Sequence, residues 1–245
     1  MATGSGNTTS GNINTLGQRS AGAAWLLGSA IGWLLHRLIG VPDLVGSLVG
    51  ITPEKRLRLK VVILRDSNDR PLATTSQAEA IVKAATTALH EAANVTLEPA
   101  IGNEEFVEQL ADPSPAYVLD PKCNWGGFQY NFTEVGKWYR GNSKGYTSRG
   151  GVVMFIVEDV QGKSGCFTGL VDFGYIDPGA VRDPMGRPAE GARQLTLAHE
   201  LGHGCDLLHR KDPTNLMTPG SDERTTKLTR WQRAVLRTSR HVRYR

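Results

Sequence analysis

Several things are scarce in this 245-residue chain. It has three cysteines, Cys123, Cys166 and Cys205, too few for a disulfide scaffold. A Cys123–Cys166 bridge and three unpaired thiols both fit that count. No apolar run reaches the ~20 residues of a membrane-spanning helix. The nearest, Ala21–Leu35, ends at His36 and Arg37. There is no charge excess of the kind that binds nucleic acid. The net charge is +4, and with the eight basic and two acidic residues of 222–245 set aside, the body holds 20 basic against 22 acidic residues. The basic character therefore belongs to the tail, and no nucleic-acid motif accompanies it. We find no internal repeat. A cleaved signal peptide is disfavoured because the leading segment is long and nearly uncharged.

What is present divides the chain in three. Residues 1–20, rich in Gly, Ser, Thr and Asn, read as a disordered tail. Residues 21–54 form an apolar segment in which Ser29, His36, Asp43 and Ser47 recur at helical spacing. That pattern fits a membrane-surface helix, a short hairpin, a poor signal anchor or a helix pair packed on the domain or another subunit, with residues 21–51 as the contact. It tips the expected location toward membrane-associated or extracytoplasmic. Residues 55–245 read as the folded domain. LRLKVVILRD (57–66) predicts a buried strand and TSQAEAIVKAATTALHEAA a helix, with Ser76 and Glu79 as its capping box. NVTLEPAI (94–101) predicts the next strand, hence a parallel pair. GNEEFVEQL reads as a short helix and residues 123–151 as an irregular aromatic stretch. GVVMFIVEDV (151–160) is a strand, and CFTGLVDFGYI (166–176) is another, placed at a sheet edge by its glycines. ARQLTLAHELGHGC and LTRWQRAVLRTSRHV predict two closing helices.

The chemistry concentrates in HELGHGCDLLHRKDPTNLM (199–217). Residues four apart share a helix face, so His199 and His203 can offer imidazole nitrogens to one ion. Glu200 lies beside them without ligating and can hold a water. Zinc suits this set, because three protein ligands leave a fourth position open. His209 stands six residues past His203. Composition yields the bare motif roughly 0.007 times per chain, and the third histidine multiplies that by roughly 1/40. Coincidental core histidines are therefore a poor explanation. For His209 to swing back, the chain must turn after His203, and Gly204 and Asp206 are the residues able to turn it. Cys205 reads as a buried thiol rather than a fourth ligand, and Asp212, before proline, as a turn residue.

On these residues the chain resembles the metzincin clan of zinc endopeptidases. Their signature is H-E-x-x-H-x-x-G-x-x-H followed by a methionine-containing turn. His199, Glu200, His203 and His209 match, and Met217 in NLMTP stands where the Met-turn residue would. Asp206 replaces the clan glycine, and Asp is among the residues that best tolerate a left-handed backbone. The resemblance covers residues 55–245. It implies a mixed α/β domain: a twisted, mostly parallel sheet with an antiparallel edge strand, an active-site helix and a C-terminal helix, with Leu228, Trp231 and Val235 packing inward. It does not extend to a subfamily, because Arg210 and Thr218–Pro219 leave no tyrosine two residues past Met217. Residues of TPGSDER would shape the pocket beyond the scissile bond.

The expected function is a metalloendopeptidase with one catalytic Zn²⁺ on His199, His203 and His209 and with Glu200 as general base. Its partner is a protein or peptide substrate, added as a strand at the sheet edge near Gly169–Gly174. A zinc hydrolase of non-peptide amides and a non-catalytic binding module are the alternatives. Trp125, Phe128, Tyr130, Trp138 and Tyr139 are expected to anchor their segment rather than line a cleft. Arg230, Arg233, Arg237 and Arg240 are expected on a solvated helix face.

Overall fold

The computed structural model describes residues 45–46, 49–101, 105–122, 133–148, 150–167 and 171–244. The expected tail, almost all of the apolar segment 21–51, Cys123 and the aromatics Trp125, Phe128 and Tyr130 lie outside them. No described helix is long and apolar enough to cross a membrane.

Strand β1 (Lys55–Ile63) organises the sheet. Its first residues alternate between buried and half-exposed and its last are all buried, as when a strand passes from a sheet margin into a layer covered on both faces. One edge pairs in parallel with β2 (Val95–Pro99) and then with β3 (Val107–Gln109). The other pairs antiparallel with β7 (Val242–Tyr244) and parallel with β4 (Val152–Ile156). The sheet continues to β6 (Phe173–Ile176), parallel to β4, and ends at β5 (Gly165–Phe167), antiparallel to β6. The domain is thus mixed α/β with a mostly parallel sheet.

Between β1 and β2 runs α1 (Thr75–Ala93), whose Ile81, Ala85, Ala88 and Leu89 are buried. Its capping box is Thr74 with Gln77, not Ser76 with Glu79. Gln77 wins because its amide also donates to Gly186 O at 2.6 Å, a tertiary bond that Glu79 cannot make from its position. The helix stops at Asn94, in the left-handed region at φ 51°, a conformation Asn tolerates.

Four further expectations need correction. GNEEFVEQL supplies a strand, β3, because pairing with Val61–Ile63 overrides its local pattern. The stretch 123–151 is not wholly irregular. After the four-residue α2 (Ala116–Leu119), α3 (Glu134–Thr147) forms despite three glycines. Burial of Tyr139 outweighs their propensity cost of about 1 kcal/mol each. Its ring lies 4.8 Å from Phe155 and 4.7 Å from Tyr175, and its hydroxyl donates to Val118 O. CFTGLVDFGYI is two strands, β5 and β6, and the sheet margin is β5 rather than the segment holding Gly174. Finally, α5 (Arg230–Arg237) ends early and the chain returns to the sheet as β7.

Of the four arginines expected on a solvated face, Arg230 is exposed, but the other three are tied to the protein. Arg237 is fully buried and donates to Ala93 O at 2.8 Å and Pro53 O at 2.7 Å. Arg233 donates to Ala92 O at 2.8 Å. Two guanidiniums thereby satisfy the last carbonyls of α1, where the helix dipole favours positive charge. Arg240 pairs with Asp172 at 2.8 Å. The inward side of the helix follows accordingly: Leu228 and Val235 pack on the core, while Trp231 is 55% exposed.

One short pattern does recur. Arg65–Pro71 and Arg182–Pro188 both read R-D-x-x-[D/G]-R-P. In each, the aspartate accepts two backbone N–H groups and clasps the second arginine. In each, the fifth residue has positive φ, 61° at Asp69 and 78° at Gly186.

Candidate metal centre

The helix α4 (Thr196–Gly204) packs against α1, β5 and β6 and is entered through a 3₁₀ turn, Gly191–Leu195, rather than as one helix from Ala192. Its end is a Schellman arrangement. Leu207 N–H donates to Gly202 O and Asp206 N–H to His203 O, both at 2.9 Å. Asp206 takes the left-handed position, at φ 65°, where such a cap usually has glycine. Gly204 keeps an ordinary negative φ and serves close approach instead: a Cβ there would meet Phe167 Cζ at 2.8 Å.

This turn returns His209 to the helix. Its Nε2 lies 3.1 Å from His203 Nε2, which lies 3.1 Å from His199 Nε2. The second nitrogens of the first two rings are committed elsewhere. His199 Nδ1 is 2.8 Å from Leu216 O, and His203 Nδ1 is 2.8 Å from Leu207 O. A carbonyl only accepts, so both Nδ1 atoms carry the proton and both Nε2 atoms present lone pairs. Two lone pairs at that separation repel unless a cation lies between them. A tetrahedral ion with bonds of about 2.0–2.1 Å would hold its ligand nitrogens about 3.3 Å apart. The three rings form a compact group of potential ligand atoms, with His199 buried and His209 open to solvent.

Electrostatics keep the rings in ligand form. Burial, reinforced by the neighbouring His203, lowers His199 to about 3. Burial lowers His203 to about 4 and pushes His209 down as well. Neutral imidazole is the species a metal requires. Glu200 moves the other way, to about 8, because it is desolvated, against the opposing pull of Arg224 and Lys163. The backbone N–H of Phe167 donates to its carboxylate, while its buried Oε2 has no partner. A buried carboxylate oxygen without a partner, on the helix that carries two of three clustered imidazoles, fits a divalent cation and its water.

Met217 is fully buried and packs against Gly202 of α4. Gly202 permits the approach: a Cβ there would stand 2.5 Å from Met217 Sδ. Met217 N–H donates to Asn215 Oδ1 at 2.9 Å. Asn215 in turn exchanges amide hydrogen bonds with Gln232 of α5, at 2.9 and 3.2 Å. The turn that presents Leu216 O to His199 is therefore tied to the core. Asp212 accepts from Thr214 N–H and hydroxyl in an Asx turn. Cys205 is buried and forms no disulfide, and Cys166 is disulfide-bonded; neither joins the histidine group.

Sequence reasoning missed Leu207 O and Leu216 O, which any residue type could supply. It also missed Arg224, whose charge reaches all three histidines and Glu200, and Gly165, whose Cβ would meet Glu200 Cγ at 2.8 Å.

No family model and no curated protein matches this sequence. Among solved structures, the archaemetzincin from Methanopyrus kandleri superposes with a TM-score of 0.41 at 13% identity, covering 74% of this chain and 94% of that one. A zinc-dependent peptidase from Methanocorpusculum labreanum gives 0.39 at 12% identity, covering 72% and 99%.

Proposed function

We propose that this chain is a zinc-dependent endopeptidase, with His199, His203 and His209 holding the metal and Glu200 handling the proton. The observation that carries the reading is the convergence of three Nε2 atoms, two of them fixed as lone-pair donors by carbonyls behind the rings. When bound, zinc supplies Lewis acidity, which makes water nucleophilic near neutral pH. Glu200 takes a proton from the attacking water and returns it to the leaving amine. Its free Oε2 is the atom suited to that exchange, and the Phe167 N–H fixes the carboxylate without consuming it. The orienting carbonyls Leu207 O and Leu216 O hold the rings so that ligation costs little ordering. The sheet margin β5 runs beside Glu200, and an extended peptide adds there as a strand. That moves the expected strand-addition site from Gly169–Gly174 to Gly165–Phe167.

The test has two parts. Metal content by mass spectrometry should give one zinc per chain in the wild type and none in His203→Ala. Cleavage of casein and of small non-peptide amides then separates a peptidase from an amide hydrolase. A wild-type protein that binds no zinc, or that carries zinc and cleaves no peptide, overturns the reading.

A further inference from the structure

The sheet face that carries Arg56 and Arg58 holds a cavity of about 180 Å³. Its described lining residues are Arg56, Arg58, Gly150, His241 and Arg243, and none of them is acidic. Strand register explains the grouping. Arg56 of β1 stands directly opposite Arg243 of the antiparallel β7. Arg58 and His241 each lie two residues along their own strand, and so on the same face. Arg243 makes no hydrogen bond and no ion pair among the described residues. Its guanidinium lies against Gly150 instead, where a Cβ would meet Nη2 at 2.6 Å and Cζ at 2.7 Å. Like charges directly opposite on antiparallel strands repel, and the surrounding acids are engaged elsewhere. Glu98 pairs with Arg56 at 3.3 Å, Glu54 accepts from the Thr96 hydroxyl at 2.8 Å, and Asp172 pairs with Arg240 at 2.8 Å. None of the three lines the cavity.

An anion there would offset a repulsion that the chain itself leaves standing. The number of guanidiniums says which anion. A carboxylate offers two oxygens in one plane, and a single arginine fork matches both. A phosphate monoester carries nearly two charges and three acceptor oxygens, and can engage three arginines. The cavity has the volume of about six liquid waters, which is room for one such group. We propose that Arg56, Arg58 and Arg243 form a binding site for a phosphate group. The site shares no residue with the histidine group and does not rest on the peptidase reading. Two sources present this chemistry, a soluble phosphate monoester and a lipid headgroup. The second is included because the chain enters β1 past Val45, Val49 and Ile51, all more than half exposed.

The experiment uses the full chain. Calorimetric titration with phenyl phosphate should find one site per chain, and benzoate should bind about tenfold or more weakly, because it satisfies one fork only. Arg58→Gln and Arg243→Gln should each lose about tenfold in affinity for phenyl phosphate. Arg243→Glu separates binding from folding. It sets opposite charges across the strands, so it should melt higher than wild type without phosphate and yet bind no phenyl phosphate. The same titration in His203→Ala should match wild type. Vesicles distinguish the sources. Phosphatidylcholine with phosphatidic acid should bind about tenfold tighter than phenyl phosphate if a headgroup is the ligand, since apolar contacts then add to the charge. Equal or weaker vesicle binding identifies a soluble ligand. Three results overturn the assignment: benzoate binding as tightly as phenyl phosphate, affinity unchanged in Arg243→Gln, or a phosphate signal that vanishes in His203→Ala and so belongs to the metal centre.

Discussion

Replacing Gly202 by alanine places a methyl carbon 2.5 Å from Met217 Sδ, 3.1 Å from its Cε and 3.5 Å from Leu207 Cδ1. A relaxed carbon–sulfur contact is more than 1 Å longer, so Met217 must move. It cannot move freely, because it is fully buried, its N–H is held by Asn215 Oδ1, and its carbonyl accepts from Arg210 N–H at 3.0 Å. Overpacking of this kind costs about 1–3 kcal/mol. Replacing a helical glycine returns about 1 kcal/mol. Gly202→Ala should therefore lose between about 0 and 2 kcal/mol, a small change. The larger effect falls on the metal. Leu216 O, one residue before Met217, holds His199 Nδ1 at 2.8 Å, so displacing Met217 tilts a ligand ring. Loss of such outer support costs about 10–100-fold in metal affinity. Zinc competition against a chromophoric chelator reads the affinity, and urea unfolding of the metal-free protein reads the stability. In Gly202→Ala/Met217→Ala the new methyl enters vacated space, so the double variant should cost less than the two singles added. Wild-type zinc affinity in Gly202→Ala, or strict additivity in the double, would refute the idea that Met217 sets the His199 ring.

Glu200→Gln should cut peptide turnover by about 10²–10⁴-fold while keeping zinc. In the chelated wild type, the raised Glu200 contributes stability that is full below about 4.5 and is lost as pH rises through about 8, because the folded state holds a proton the unfolded chain has released. Thermal melts of metal-free Glu200→Gln should lack that decline. Arg237→Met keeps the volume but strands Ala93 O and Pro53 O, and should cost about 3–5 kcal/mol in urea unfolding. Asp206→Val forces a β-branched residue to φ 65°, which should cost about 1–2 kcal/mol, whereas Asp206→Gly should stay near wild type by the same assay.

The clustering of His199, His203 and His209 was legible because few side chains can ligate a metal and a four-residue spacing puts two of them on one helix face. The strands that line the core were legible for a similar reason, since LRLKVVIL and VVMFIV have only one environment to go to. What stayed hidden depends on partners distant in sequence. Thr74, Thr75 and Ser76 could each have capped α1. The choice fell to the residue whose third successor, Gln77, also reaches Gly186 O, which lies 109 positions away. Arg237 recurs with helical period like any surface arginine. It is internal only because α1 ends opposite it with unsatisfied carbonyls. Three-residue strands such as β3 carry too few residues for an alternation to register, and their identity comes from the neighbour.

The metal centre is accordingly less local than its motif. His203 is oriented by a carbonyl in the turn that Asp206 closes, and His199 by a carbonyl in the turn that Met217 fills. The second turn is fastened to α5 through Asn215 and Gln232, and α5 to the end of α1 through Arg233 and Arg237. A polar chain of hydrogen bonds thus runs from a core helix to one ligand ring. Its middle link, the buried Asn215–Gln232 pair, leaves an unsatisfied amide if either partner is lost. The ring farthest from such support is His209, which is exposed and whose Nε2 lies 3.1 Å from His203 Nε2. On the zinc reading proposed above, two rings are therefore positioned before any ion arrives, and the third is positioned largely by the ion.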